Sequence, residues 1–288
     1  MEYRILGKTG LKISRMGFGG IPIQRIDAEG TKALMRKLLE NGVNYIDTAR
    51  GYTVSEEYLG IGLEGIREHF VLATKSMSRT AEAMAKDIDI SLKNLRTDYI
   101  DLYQIHNAPP ADMEKVCSPG GALEALTAAK TAGKIGHIGI TAHSLETFRM
   151  ALELPWVETI MFPYNIVEDQ AKELIHACAE KNIGFIAMKP LAGGAIEDAV
   201  TALRYVCANP DVTVVIPGMA DIAELNQNLA AVNDSSPLSV EEEAKMRAIR
   251  DALGTQFCRR CNYCQPCSAG ISISSVFLFE GYLSRYGL

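Results

Sequence analysis

Short apolar runs rich in β-branched residues alternate with amphipathic segments of helical length along most of this chain, and few architectures satisfy that order. The runs are "RMGFGG", "VNYIDTA", "FVLATK", "YIDLYQIH", "IGHIGIT", "VETIMFPYN", "GFIAMKP" and "VTVVIPG", eight in all. Near-continuous apolar stretches of this length read as parallel strands buried on both faces. Between them lie helix candidates at 30–41, 80–95, 121–132, 144–154, 169–181 and 195–208. Gly, Asn or Pro follows the amphipathic runs in "ENGVN", "TAGKIG", "EKNIG" and "ANPDV", where a return strand should begin. Eight βα units predict a closed (β/α)8 barrel of the α/β class, with an open doubly wound sheet as the competitor. No G-x-G-x-x-G follows the first strand, which counts against the open sheet.

Two segments lie outside the repeat. "YRILGKTGLKISR" reads as an N-terminal β-hairpin plugging the bottom of the barrel. "SVEEEAKMRAIRDALG" has a Ser cap, an acidic first turn and a terminal Gly, so it reads as an extra helix. The expected division is therefore a barrel with its additional helix over 1–253 and a short cysteine-rich, metal-binding tail over 254–288.

With 48% hydrophobic and 22% charged residues over 288 positions, the composition is that of a globular chain with a sizeable core. The net charge of -6 and the lack of a Lys/Arg run argue against nucleic acid as a partner. The N-terminus shows no charged-then-apolar leader and no apolar run is long enough to span a bilayer, so a cytoplasmic protein without membrane association is expected.

Functional groups of a (β/α)8 barrel gather at the C-terminal strand ends. There the second strand brings Asp47 in "NYIDTARGY", with Tyr52 on the loop beyond it; the third ends in Lys75 and the fourth in His106. Individually these read as a loop cap, a rim aromatic, a solvated strand end and a core histidine. Together they make a proton-donating site. A free phenol has a pKa of about 10 and donates poorly at neutral pH unless a cation stabilises its anion. Lys75 supplies that cation, Asp47 keeps it charged, and His106 hydrogen-bonds the substrate oxygen that Tyr52 protonates. The loops after strands seven and eight, "KPLAGG" and "PGMAD", suit a phosphate-bearing cofactor: Gly193 and Gly194 allow close backbone approach and Lys189 offers charge.

The ordered motifs "LGKTGLKISRMGFGG", "DTARGY", "ATK", "DLYQIH", "GKIGHIGIT" and "VIPG" resemble the aldo-keto reductase family from residue 1 to about 232. The resemblance implies a reductase transferring hydride from NAD(P)H to a small aldehyde or ketone, with Asp47, Tyr52, Lys75 and His106 as its tetrad. It implies a cofactor bound by Gly19, Gly20, Thr141, Met161, Met188, Lys189, Leu191, Gly193, Gly194, Ile216, Gly218, Glu224, Gln227 and Asn228. The chain departs from the commoner pattern at the nicotinamide. Thr141 and Ala142 replace a Ser-Asn pair, Met161 replaces a Gln, and Met188 replaces an aromatic, giving a less polar ring pocket and a softer stacking contact. Gly218, Ala220 and Glu224 stand where NADP-preferring members resemble one another in carrying basic residues. Glu224 would repel a 2′-phosphate and accept a hydrogen bond from a ribose hydroxyl, which leans the expectation towards NAD. Gln227 and Asn228 match the adenine-binding pair.

The tail carries "CRRCNYCQPC", so Cys258, Cys261, Cys264 and Cys267 follow a C-x2-C-x2-C-x2-C spacing, while Cys117, Cys178 and Cys207 are scattered through the body as packing residues. The spacing resembles a ferredoxin-type run for a [4Fe-4S] cluster, although that run has three residues before its last cysteine and a proline after it, and a subset of aldo-keto reductases looks similar. Tetrahedral zinc is the rival occupant. A one-electron centre does not couple directly to a hydride carrier, so the metal is expected to shape the tail, sense redox state or dock a redox partner or a second copy. A second reading makes the whole chain a nicotinamide-sensing regulatory or redox module whose metal-bound tail contacts a partner.

Overall fold

The computed structural model describes residues 1–254, 257, 258, 264 and 267–286. Its centre is an eight-stranded parallel sheet of β3 (Phe18–Gly19), β4 (Tyr45–Asp47), β5 (Val71–Ser76), β6 (Ile100–Ile105), β7 (Ile135–Thr141), β8 (Thr159–Pro163), β9 (Gly184–Met188) and β10 (Val214–Ile216), paired in sequence order. Parallel bridges Met16 to Val215 and Gly19 to Gly218 join the first strand region to the last, so the sheet curls into a nearly closed barrel. The expected (β/α)8 fold is the fold found. The open-sheet competitor fails because the terminal strands bond each other.

The hairpin pairs β1 (Tyr3–Ile5) with β2 (Lys12–Ser14) in antiparallel register. Leu6 and Ile13, both wholly buried, pack with Tyr45, Ala73, Leu102, Ile186 and Val214. All five open their strands or sit two residues in, so the hairpin closes the N-terminal end of the barrel. Gly7 permits the approach, for a Cβ there would stand 2.2 Å from Gly184 N.

The helical layer comprises α1 (Ala28–Glu40), α2 (Ser55–Gly62), α3 (Ala81–Asn94), α4 (Pro110–Cys117), α5 (Ala122–Thr131), α6 (Leu145–Leu152), α7 (Lys172–Glu180), α8 (Ala199–Cys207), α9 (Ile222–Asn233) and α10 (Val240–Leu253), with α11 (Ile273–Tyr286) in the tail. Side-chain caps set several starts: Asp27, Thr80, Ser144, Asp198 and Asp221 each accept from a backbone N–H three residues on. Each such cap is worth about 1 kcal/mol. Ser239 and Glu242 form the reciprocal capping box foreseen for α10. Of the foreseen stop signals, Gly42, Gly133 and Asn182 adopt positive φ, reversing the chain into the next strand.

Among the helices that escaped the sequence pattern are α2 and α4. α2 is short and carries two glycines, so its periodicity is weak; α4 lies inside "NAPPADMEKVCSPGG", where Pro110 at the first turn was its available signal. α7 begins at Lys172 rather than 169, and α8 at Ala199 rather than 195, because Asp198 caps it. Among the described residues, no helix is long and apolar enough to cross a membrane. α11 exposes Val276, Phe277, Phe279 and Leu283.

Candidate active site

Strand alternation decides which side chains enter the barrel. Tyr45 and Asp47 on β4, Ala73 and Lys75 on β5, and Leu102 and Gln104 on β6 sit two residues apart, with the apolar member towards the hairpin and the polar member towards the mouth. Parallel register then sets Asp47 opposite Ala73 and Lys75 opposite Gln104.

Lys75 is 1% exposed and Asp47 2%. The Lys75 ammonium donates to Asp47 Oδ2 and, at 2.8 Å, to Thr48 O. Gln104 Nε2 donates to Asp47 Oδ1 at 3.2 Å. Burial draws the Asp47 carboxyl up against the opposing pull of Lys75 and Gln104. Burial also draws Lys75 down, but Asp47 first and then Tyr52, each by charge and hydrogen bond, leave it raised. Two oxygens and a phenol converge on one ammonium, so it stays charged at neutral pH.

Tyr52 reaches this ammonium from the loop after β4. Lys75 Nζ lies 4.9 Å from the Tyr52 ring centroid, and the ring meets His106 edge-on at 6.0 Å between centroids. His106 follows β6, its N–H bonded to Ser76 O at 2.8 Å. Its ring Nδ1 is buried and has no hydrogen-bond partner among the described residues. Burial, with Lys75, Arg79 and Lys189 as positive neighbours, brings its pKa down to about 3, so the imidazole is neutral. Asp47, Tyr52, Lys75 and His106 are thus brought together at one mouth.

The expected cofactor residues divide. Met161, Met188 and Ile216 line the barrel interior, Met161 at 1% and Met188 at 9% exposure. The Thr141 hydroxyl accepts from Asn107 N–H at 2.8 Å, so it also anchors the loop after β6. Gly19, Gly20 and Gly218 answer first to close packing. A Cβ on Gly19 would meet Ile216 O at 3.0 Å, on Gly20 Asp47 O at 2.7 Å, and on Gly218 the Pro22 ring at 2.6 Å. Gly193 differs: at φ 70° a Cβ there would face open space. Gly194, at φ 95°, donates its N–H to Leu191 O, and Lys189 O accepts from the buried Asn165 amide, so 189–194 is a pinned, tightly turned loop. Asn228 is buried in α9, while Gln227 is exposed.

Glu224 accepts from Ala220 N–H at 2.6 Å and stands 3.5 Å from the Arg25 guanidinium, so its charge is partly answered by a cation the sequence pattern did not indicate. Gln104 and Asn165 were likewise missed. Their signal was polar amides near apolar strand ends, legible only once the inward face is known.

In the tail, Cys258 and Cys267 are half-buried and Cys264 is exposed, while Cys261 lies outside the described residues. Among the described residues, no group of three or more His, Cys, Asp or Glu side chains closes on a metal position. The backbone N–H groups of Ile271, Ala269 and Gly270 face the Cys267 thiol and hold its pKa below the ordinary thiol value. Cys178 is buried in the body, and burial lifts its thiol to about 12.

The aldo/keto reductase family model matches residues 15–201. L-galactose dehydrogenase of Arabidopsis thaliana is 28% identical over 84% of this chain and 92% of its own length. The aldo-keto reductase YhdN of Bacillus subtilis is 33% identical over 63% of this chain and 59% of its own length. Among solved structures, the holo form of an aldo-keto reductase from Bacillus halodurans superposes with a TM-score of 0.74 at 26% identity, covering 86% of this chain and 96% of that one. With the family model spanning well over half of the sequence on a barrel of matching fold, the chain belongs to the aldo/keto reductase family.

Proposed function

We propose that this oxidoreductase interconverts a small carbonyl compound and its alcohol with a nicotinamide cofactor, Tyr52 acting as proton donor in the reducing direction. The observation carrying this reading is the convergence of the Tyr52 ring, the Lys75 ammonium and neutral His106 at one mouth. When bound, the cofactor supplies the hydride. The open face at Gly193 and the unpartnered His106 Nδ1 fit a cofactor and substrate in this mouth. Met161, Met188 and Ile216 would pack the nicotinamide end, with Thr141 at its carboxamide. Lys189, Leu191, Gly193, Gly194 and Gly218, with Gly19 and Gly20 on the strand end beside Gly218, would hold the phosphates. Glu224, Gln227 and Asn228 would hold the adenosine end. NAD is favoured over NADP by Glu224 and disfavoured by Arg25 beside it.

Lys75, held charged by Asp47, lowers the cost of the Tyr52 phenolate and makes the phenol a usable acid near neutral pH. His106, neutral, offers a hydrogen bond to the substrate oxygen without competing for the proton. The L-galactose dehydrogenase relative supports a sugar hydroxyl among the substrates to test.

The barrel with α10, over 1–253, is the catalytic unit in this reading, and 254–288 a metal-binding tail in a cytoplasmic protein. The C-x2-C-x2-C-x2-C spacing and the amide-backed Cys267 support a [4Fe-4S] cluster, with zinc as rival. The test has two arms. Tyr52→Phe is expected to abolish reduction of a carbonyl panel while nicotinamide binding persists; undiminished turnover would refute its role. Protein purified without oxygen is expected to carry about four irons per chain with visible absorbance; stoichiometric zinc would replace that assignment.

A further inference from the structure

The loop that carries Tyr52 is pinned on either side of it, and at its tip the Thr53 hydroxyl donates to the Gln24 side-chain oxygen while the Tyr52 N–H donates to Ala49 O at 3.0 Å. Arg50 N–H donates to Lys75 O at 2.9 Å, and Glu56, in the first turn of α2, is fully buried. Between them, Gly51 has nothing within 4 Å of its Cβ direction, and Thr53 adopts a positive φ of 40°. Where the phenol stands therefore depends on the two pins together with the turn bonds between them.

The pins are linked to each other and to the strand of Lys75. Arg50 Nη1 donates to Glu56 Oε2 at 2.9 Å, and Arg50 Nε lies 3.9 Å from Asp87 Oδ1 on α3. Glu56 Oε1 accepts from Thr74 Oγ1 at 2.8 Å and from Ser91 Oγ at 2.7 Å. Asp87 Oδ2 accepts from the hydroxyls of Ser76 and Ser78. Thr74 and Ser76 are the chain neighbours of Lys75, and strand alternation turns them outward while the lysine turns inward. One guanidinium thus bridges two carboxylates, each held by a neighbour of Lys75. As a pure stabiliser this is a poor choice, since a buried ion pair gains little over well-packed apolar side chains. As a strut it fixes a distance.

We propose that Arg50 and Glu56 are positioning residues that set the Tyr52 phenol against the Lys75 ammonium. The inference rests on Tyr52 being the proton donor. Loosening the strut misplaces the phenol and weakens its contact with Lys75, which slows proton donation and raises the pH at which the phenol ionises.

The experiment compares Arg50→Met, Arg50→Ala, Arg50→Lys and Glu56→Gln with Tyr52→Phe in the full chain. It measures kcat, KM, the pH dependence of kcat for carbonyl reduction, cofactor affinity by nicotinamide fluorescence, and Tm. Arg50→Met is expected to lower kcat about 10- to 100-fold, the cost of roughly 1 Å of misplacement. KM and cofactor affinity should stay near the parent's, and the alkaline fall of kcat should move to higher pH. Arg50→Lys should recover part of the loss, and guanidinium added to Arg50→Ala should restore turnover. If Arg50→Met does not fold, the double variant with Glu56→Gln leaves no unpaired buried charge and is measured instead. Folded variants with the parent's kcat and pH profile would overturn the inference, as would losses that track Tm alone. Should Tyr52→Phe itself turn over normally, the proton-donor reading fails; should it be inactive while the Arg50 variants behave as the parent does, only the positioning inference fails.

Discussion

Replacing Lys75 by Met separates what this lysine does for the fold from what it does for the phenol. The substitution is close to isosteric at a position 1% exposed, so its effects are those of charge. It strands Asp47, itself 2% exposed, with Gln104 as its remaining hydrogen-bond donor. Removing one partner of a buried pair costs about 3–5 kcal/mol. The double variant Lys75→Met/Asp47→Leu removes both charges and should regain most of that stability. Chemistry should not follow. With Lys75 Nζ 4.9 Å from the Tyr52 ring centroid, a unit charge at that separation in an effective dielectric near 20 is worth about 3 kcal/mol to the phenolate. The assay is steady-state carbonyl reduction across pH 6–11 beside thermal unfolding. The phenol must be protonated to donate, so a cation that stabilises its anion places the alkaline fall of kcat low. Without that cation the fall should move to higher pH and kcat should drop about a hundredfold. Both effects should persist in the stabilised double variant. A double variant with the parent's rate and pH profile would refute the pairing of phenol and ammonium.

Other residues give independent tests. His106, with its pKa down at about 3, binds fewer protons folded than unfolded, so its contribution to stability is complete above about pH 6.5 and shrinks as pH falls towards 3. His106→Asn should flatten the acid loss between pH 6.5 and 4 by up to about 3 kcal/mol in urea titrations; an unchanged slope would mean that the histidine is not held neutral. At Gly7, φ 53° and a Cβ placed 2.2 Å from Gly184 N make Gly7→Ala strained twice over, and calorimetry should find at least about 2 kcal/mol lost as the hairpin backs away from the barrel. Glu224→Ala should weaken NADH use and improve NADPH use about tenfold, because a ribose acceptor is lost and Arg25 is then free to meet a 2′-phosphate. Equal use of both cofactors before and after the change would dismiss Glu224 as a selector.

The order of strands, the barrel and the hairpin were legible because each rests on local pattern: apolar runs of strand length, stop residues with left-handed φ such as Gly42 and Asn182, and caps such as Ser239. Asp47, Lys75 and His106 were legible for the same reason, since a parallel barrel presents its strand ends at one mouth whatever the side-chain packing. Tertiary structure alone decided the rest. That Thr74 and Ser76 seize Glu56 and Asp87, that Arg25 stands beside Glu224, and that Gly20 is dictated by Asp47 O depend on contacts between segments far apart in sequence, which no periodicity encodes. Local pattern sets which face of a strand turns inward; only the closing of the barrel determines which groups then meet there, and at what distance a lysine comes to lie beside a phenol.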